Sequence, residues 1–128
     1  MSQVPLHPSD GELAILQVLW DRGPSTVREV HTALSEARDT GYTTVLKLMQ
    51  IMAEKGLVTR DERARSHVYE AAQAKAPTQG RMLSDLLQKA FDGKAHELVS
   101  RALEAAPADE TELDALQALI DRMRKERP

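Results

Sequence analysis

The feature that most restricts the fold of this chain is a change of hydrophobic period at Gly56. Residues 42–55 place apolar side chains along one face of a predicted helix: Val45, Leu48, Met49 and Met52. Gly56 stands where helices commonly end, and two short β-prone runs follow it, at 57–60 and 67–70. The charged segment 61–66 joins these runs, so the pattern predicts a helix followed by a β-hairpin with a polar tip.

Two further helices are predicted before this one, each from a start signal. Ser9 with Glu12, and Thr26 with Glu29, have the spacing of a capping box, and apolar residues with helical spacing follow both pairs. Gly23 is expected to end the first of these helices. The order helix, helix, turn, helix, hairpin is that of a winged helix-turn-helix, so we expect a mainly α fold of this class.

The rest of the chain predicts a second region made only of helices. Pro77 marks the expected boundary between a winged-helix domain over 1–76, whose residues 1–8 form a loose arm, and a three-helix region over 77–128. This region has too few large apolar residues for a core of its own, so it either packs back onto the winged helix or pairs with a second copy. Pairing is the favoured interpretation. The residues expected at the dimer contact are Leu83, Leu86, Leu87, Leu98, Val99 and Leu103.

The net charge of the whole chain argues weakly against nucleic acid as a partner, but the distribution of charge reverses that argument. The 128 residues carry a formal charge of −3. Residues 41–67, however, contain five Lys and Arg residues against three Asp and Glu residues, a local charge of +2. Phosphate contacts depend on local charge, so the third helix and the hairpin are the expected DNA-binding surface.

The solvent face of the third helix carries side chains that suit DNA recognition: Thr43, Thr44, Lys47 and Gln50. Threonine offers a hydroxyl and a methyl group, glutamine can pair with adenine, and lysine with guanine or phosphate. A merely solvated helix face is the alternative interpretation, but the position before a basic hairpin favours DNA. In that hairpin Arg63 and Arg65 are expected to contact phosphate or the minor groove, and His67 to contact phosphate.

Several classes of function are excluded by what the sequence lacks. There are no cysteines, which excludes disulfides, cysteine zinc sites and thiol catalysis. The histidines show no metal-ligand spacing, His31 being expected as a partly buried, hydrogen-bonded side chain, and no nucleophile–base pair or phosphate loop occurs. We therefore expect no enzyme, no catalytic residues, no metal and no cofactor. No apolar run could span a membrane and no signal peptide precedes the fold, so a cytoplasmic protein without a membrane partner is expected.

Five blocks of the sequence together resemble the penicillinase repressor family of bacterial transcriptional regulators (the BlaI and MecI type): ELAILQVLW at 12–20, GPSTVREVH at 23–31, YTTV at 42–45, EKGLV at 54–58 and RSHVY at 65–69. The resemblance covers about residues 9–125. It implies a winged helix, a helical dimerisation region and repression at a dyad-symmetric operator of double-stranded DNA. It also implies that the helix beginning at Tyr42 enters the major groove, with the wing around Arg65 on the backbone. The residues of this helix expected at the DNA are Tyr42, Thr43, Thr44, Lys47 and Gln50.

The chain departs from this family at three points. The family often has arginine where this chain has Ile51, so one basic contact is missing, and Lys47 one turn earlier offers a replacement. In the best-known members, induction involves a signalling protease that cuts between asparagine and phenylalanine in the second C-terminal helix. The corresponding segment, 100–103, reads Ser-Arg-Ala-Leu, so the usual cleavage signal is absent. The C-terminal cysteines of the copper-responsive branch are absent as well.

These observations favour a homodimeric repressor of an antibiotic-resistance or stress gene. Two other functions stay open at this point. A winged helix can serve as a protein–protein interaction module, in which case its basic face is incidental. The helical region can instead hold a small-molecule ligand and make the protein a ligand-responsive regulator, although few aromatic residues support such a pocket.

Overall fold

The computed structural model describes residues 8–37 and 39–128 and confirms a mainly helical winged helix-turn-helix. The predicted N-terminal arm, apart from Pro8, lies outside the described residues, as does Arg38 in the turn before the third helix. The elements in chain order are α1 (Asp10–Arg22), β1 (Ser25–Thr26), α2 (Val27–Ser35), α3 (Tyr42–Lys55), β2 (Val58–Asp61), β3 (Val68–Ala71), α4 (Lys75–Phe91), α5 (Ala95–Ala105) and α6 (Glu110–Glu126).

Both predicted capping boxes are present. At the start of α1 the Ser9 Oγ accepts a hydrogen bond from the Glu12 backbone nitrogen, and a Glu12 carboxylate oxygen accepts from the Ser9 nitrogen. Thr26 and Glu29 make the same reciprocal bonds at the start of α2. Each box satisfies backbone N–H groups that have no partner within the helix. The end of α3 is also as predicted, because Gly56 adopts the left-handed conformation with φ of 83°.

The wing is part of a three-stranded antiparallel sheet of order β1-β3-β2. The hairpin strands lie one residue later than the predicted runs, at Val58–Asp61 and Val68–Ala71. The strand β1 was not predicted. Its two residues, Ser25 and Thr26, pair with Tyr69 and Val68, so β1 holds the wing against the start of α2.

The first compact unit extends to Ser84 and contains the buried core. Its fully buried side chains come from every layer of the fold: Ile15 of α1, Val30 of α2, Val45, Met49 and Met52 of α3, and Tyr69 of β3. Packing of α1 and α2 against one face of α3 leaves the opposite face of α3 in solvent. The core therefore fixes which residues α3 presents outside.

The second compact unit, Asp85–Pro128, contains the end of α4 together with α5 and α6. Asp92 and Gly93, which follow the last residue of α4, adopt positive φ values of 51° and 78°. No residue from 85 to 128 is buried. Among the described residues, none of the helices is long and apolar enough to cross a membrane.

The predicted domain boundary at Pro77 comes earlier in the chain than the division between the two compact units, which falls after Ser84. Helix α4 begins at Lys75, so Pro77 lies in its first turn, where the missing backbone N–H costs no helical hydrogen bond. Thr78 in the same turn is buried and donates a hydrogen bond to the Ala74 carbonyl. A division after residue 76 stays a prediction.

Candidate nucleic-acid interface

The outer face of α3 carries the four residues predicted to read DNA, and all of them are exposed: Thr43, Thr44, Lys47 and Gln50. Val45 and Met49, on the opposite face, have no exposed surface. Because the core fixes α3 on this apolar side, hydroxyl, amide and ammonium groups form the solvent face of one rigid helix. Ile51, where the family often has arginine, is partly buried.

The start of α3 is held by His31. A carbonyl oxygen can only accept, so the His31 ring donates from Nε2 to the Thr40 carbonyl, across 2.8 Å. The Tyr42 ring meets the His31 ring edge to face, with 5.8 Å between the ring centres. The prediction of a partly buried, hydrogen-bonded His31 is confirmed. This contact connects α2 to the turn from which α3 begins.

Several of the predicted DNA-binding residues line one open groove of about 410 Å³ between α2, α3 and the wing. Tyr42 and Gln50 contribute from α3, and Arg65 and His67 from the wing. Arg28 of α2 also lines this groove, with its guanidinium carbon 6.0 Å from the centre of the Tyr42 ring. Sequence reasoning missed Arg28, because its position in the first turn of α2 does not indicate that it lies beside Tyr42.

The other predicted residues lie outside this groove. Thr43 and Lys47 are exposed elsewhere on α3, and Thr44 borders a second depression with Gly41 and Leu48. Arg63 projects from the wing tip, with 91% of its side chain exposed. The structure therefore brings four of the eight predicted residues into one groove and distributes the others around it.

The three arginines of the wing differ in their partners. Arg63 binds the Asp61 carboxylate, with 2.7 Å between Nη2 and Oδ2, and Arg60 lies 3.4 Å from a Glu62 oxygen. Within 8–37 and 39–128, no ion pair forms at Arg65. Hydrogen bonds from the Arg63 side chain and backbone lower the pKa of Asp61 to about 2. The sequence predicted phosphate or minor-groove contacts for both Arg63 and Arg65, but in the described parts of the chain Arg63 has an acidic partner and Arg65 has none.

The far end of α3 is anchored by a buried carboxylate. Lys55 Nζ lies 2.9 Å from an oxygen of Glu12, whose side chain is 3% exposed. Burial opposes ionisation of Glu12, but hydrogen bonds from the Ser9 backbone and from Lys55 outweigh it and hold its pKa below the ordinary value. Glu12 was predicted only as a capping residue. Its second role connects α1 to the last turn of α3.

The residues predicted at the dimer contact expose much apolar surface in the single chain. Leu83, Leu86 and Val99 are 51%, 49% and 48% exposed. Leu87, Leu98 and Leu103 are partly exposed. Helix α6 adds three exposed apolar residues that the prediction did not include: Leu113, Ile120 and Met123.

Metal binding finds no support in the part of the chain that the structure describes. No group of three or more histidine, aspartate or glutamate residues is placed to hold an ion there.

Known proteins with similar sequences and structures identify the family. The penicillinase repressor family model matches residues 8–122. Two proteins named transcriptional regulator BlaI, from the CDC 1551 / Oshkosh and ATCC 25618 / H37Rv strains of Mycobacterium tuberculosis, are each 36% identical over 113 residues, which cover 87% of this chain and 80% of theirs.

A solved structure supports the same fold. It is the solution structure of the monomeric form of Bacillus licheniformis BlaI in complex with the blaP half-operator. The match has a TM-score of 0.50 at 24% identity and covers 59% of this chain and 92% of that one. The resemblance inferred from the sequence is thus confirmed, and the chain belongs to the penicillinase repressor family of transcriptional regulators.

Proposed function

We propose that this DNA-binding repressor acts as a homodimer on a palindromic operator, with α3 in the major groove and the wing on the sugar–phosphate backbone. The observation that carries the proposal is the exposed polar face of α3, which lies beside a groove lined by Arg28, Arg65 and His67. Family membership favours this function over a module that binds only protein.

The outer face of α3 supplies the base contacts in this proposal. Gln50 presents an amide that can pair with adenine, and Lys47 an ammonium group for guanine or phosphate. Thr43 and Thr44 add hydroxyl groups and methyl groups, the latter suited to the thymine methyl. All four side chains are exposed, so they can meet a base edge without disturbing the core.

Phosphate contacts come from the groove beside α3. Arg65 has no acidic partner in the described parts of the chain, so its full charge is available to a phosphate. We add Arg28 to the predicted contacts, because the Tyr42 ring supports its guanidinium group at the same groove. The predicted contact of His67 with phosphate stays part of the proposal.

A second copy completes the second unit in this proposal. No residue from 85 to 128 is buried, and leucines of α4 and α6 are half exposed, so another chain has apolar surface to cover. A symmetric dimer binds two half-sites about 34 Å apart, or a multiple of that distance. If a signalling protease removes this unit, the repressor can no longer hold both half-sites at once and releases the operator.

The experiment begins with selection of bound sequences from random duplex DNA, followed by binding of two variants to the recovered site. Gln50→Ala should cost ~1–3 kcal/mol and change the preferred base, because it removes one base-edge hydrogen-bonding group. Arg65→Ala should weaken binding to all sequences alike and lower the magnitude of the log–log salt slope by ~0.9 for each phosphate that the arginine no longer neutralises. Neither change should shift the melting temperature, since both side chains are exposed.

Two matched controls remove the same chemical groups elsewhere. Gln79→Ala deletes an exposed amide from α4, and Arg124→Ala deletes an exposed guanidinium from α6. Both should bind like the unaltered protein. The proposed interface is wrong if Gln50→Ala and Arg65→Ala keep the original affinity, base preference and salt slope.

A further inference from the structure

The tip of the wing contains a tightly paired aspartate and arginine that the DNA-binding proposal does not use. Oδ1 of Asp61 accepts hydrogen bonds from the backbone nitrogen and from Nε of Arg63, both at 3.0 Å. Oδ2 accepts from Nη2 at 2.7 Å and from Nε at 3.2 Å. One carboxylate therefore binds the side fork of the guanidinium group and also closes the turn that carries it.

A phosphate would meet Arg63 through the same chemistry that Asp61 already supplies. Carboxylate and phosphate both offer two oxygens to the arginine fork, in bidentate pairs of similar geometry. Asp61 is ionised in the neutral range, as aspartates ordinarily are, and the hydrogen bonds from Arg63 lower its pKa further, to about 2. Arg63 thus has an anionic partner before any DNA arrives.

We propose that Asp61 is a positioning residue that competes with DNA phosphate for Arg63, and so lowers the affinity and the salt dependence of DNA binding. This inference rests on the proposed DNA-binding function. It separates Arg63, which forms a neutral pair with Asp61, from Arg65, which has no acidic partner among residues 8–37 and 39–128.

The electrostatic reason lies in counterion release. A cation that neutralises a phosphate releases condensed counterions, and each such contact adds ~0.9 to the salt slope on duplex DNA. The Asp61–Arg63 pair has no net charge, so it releases few counterions even when it lies close to the backbone. Fewer positive side chains of residues 41–67 are therefore available to phosphate than their number in the sequence indicates.

Asp61→Asn separates the charge of Asp61 from its structural role. The asparagine Oδ1 can still accept from the Arg63 backbone nitrogen, which keeps the turn closed. The substitution removes the negative charge and the bidentate acceptor, so the guanidinium group is free for phosphate. Because both side chains lie in an exposed hairpin, the melting temperature should change little.

The test measures the affinity of the full chain for a mixed-sequence duplex over a range of salt concentrations. Asp61→Asn should raise the magnitude of the log–log slope by ~0.9 for each wing at the DNA and tighten binding several-fold at low salt. Arg63→Ala alone should leave the slope unchanged, since Arg63 makes no phosphate contact while Asp61 holds it. The double variant Asp61→Asn, Arg63→Ala should return to the original slope.

Glu70→Gln is the matched control, because it removes one negative charge from the exposed side of β3. Glu70 has no ion pair in the described residues, so its removal frees no arginine and should leave the slope unchanged. The inference is overturned if Asp61→Asn leaves the slope unchanged, if its effect persists without Arg63, or if Glu70→Gln reproduces it. If the full chain binds no duplex at all, both the proposed function and this inference are wrong. If the chain binds duplex but Asp61→Asn does not change the slope, only this inference is wrong.

Discussion

The two compact units of the chain are both helical, but they differ in what holds their helices together. The unit up to Ser84 contains all the buried apolar side chains of the described chain, from Ile15 in α1 to Tyr69 in β3. The unit from Asp85 onward buries none of its residues. Hydrophobic burial is the main favourable term in folding, so we expect the first unit to fold by itself and the second to need apolar contact from outside its own residues.

Polar contacts repeat this difference. In the first unit two of these contacts join distant parts of the chain: Lys55 binds Glu12, and Trp20 Nε1 donates to the Gln73 carbonyl across 3.0 Å. Ion pairs of the second unit join residues three or four positions apart on one helix, as Arg101 does with Glu104 and Arg122 with Glu126. Local pairs stabilise a helix by only a few tenths of a kcal/mol, ~0.2–0.5, and do not fix one helix against another. This difference supports the proposed dimer, in which a second copy would complete the helices of the second unit.

The largest expected effect comes from placing a charge on the exposed apolar surface of the second unit. Leu86→Asp replaces a side chain that is 49% exposed, so in a monomer it should be nearly neutral. In a dimer the new carboxylate would be buried between the two chains. Because burying an unpaired charge is costly, the two chains should separate. Without the intramolecular second half-site, binding to a full palindrome should weaken by ~10²–10⁴-fold, as measured by DNA titration at low protein concentration.

Gln88→Asp provides the control for this substitution, because it introduces the same charge at an exposed polar position of α4. It should keep the original assembly and affinity. If Leu86→Asp behaves like Gln88→Asp in sedimentation and in DNA binding, the second unit does not pair through this surface.

A smaller effect is expected from Glu12→Gln, which tests the long-range anchor of the first unit. The substitution keeps an oxygen for the Ser9 nitrogen but removes the charge that binds Lys55 in a buried setting. The free energy of unfolding should fall by about 1–2 kcal/mol, as expected when a hydrogen bond between charged groups that is partly open to water is removed. Glu29→Gln, in the exposed capping box of α2, should cause a smaller decrease in the same denaturant titration.

The pH dependence of this anchor has a defined sign. The folded protein holds the pKa of Glu12 below its ordinary value, so the unfolded chain takes up a proton first as the pH falls. The stabilisation from Glu12 is therefore complete at neutral pH and disappears in the acidic range. The difference between the original protein and Glu12→Gln should shrink as the pH is lowered, and a difference that grows on acidification would contradict the anchor.

Much of the winged helix could be predicted because its signals are local. The apolar spacing of α3, its terminal Gly56 and the two capping boxes each depend on residues a few positions apart. Strand β1 was missed because its two residues are too few to show an alternation of apolar and polar side chains. Its pairing with β3 is a tertiary contact that spacing does not indicate. The sequence did not place the start of α4, because Pro77 suggested a domain boundary although the first turn of a helix tolerates proline.

The residue types at the candidate interface could be predicted from the sequence, but the contacts between their side chains could not. The exposed face of α3 follows from helical periodicity, so Thr43, Thr44, Lys47 and Gln50 could be placed on the solvent side from the sequence. The three-dimensional neighbours of a side chain in a loop, or of one in the first turn of a helix, do not follow from sequence spacing. For that reason the bidentate binding of Arg63 by Asp61, and the position of Arg28 beside Tyr42, became evident only in three dimensions.

The most direct test of the account is sedimentation of the intact protein and of a fragment spanning residues 1–84, each titrated with a full palindromic operator. The fragment retains the whole core and the buried Thr78, so it should remain folded. We predict that the intact protein sediments as a dimer and holds the palindrome as one dimer at nanomolar concentration. The fragment should be monomeric and bind ~10²–10⁴-fold more weakly. A monomeric intact protein, or a fragment that binds the palindrome equally tightly, would contradict the dimeric repressor.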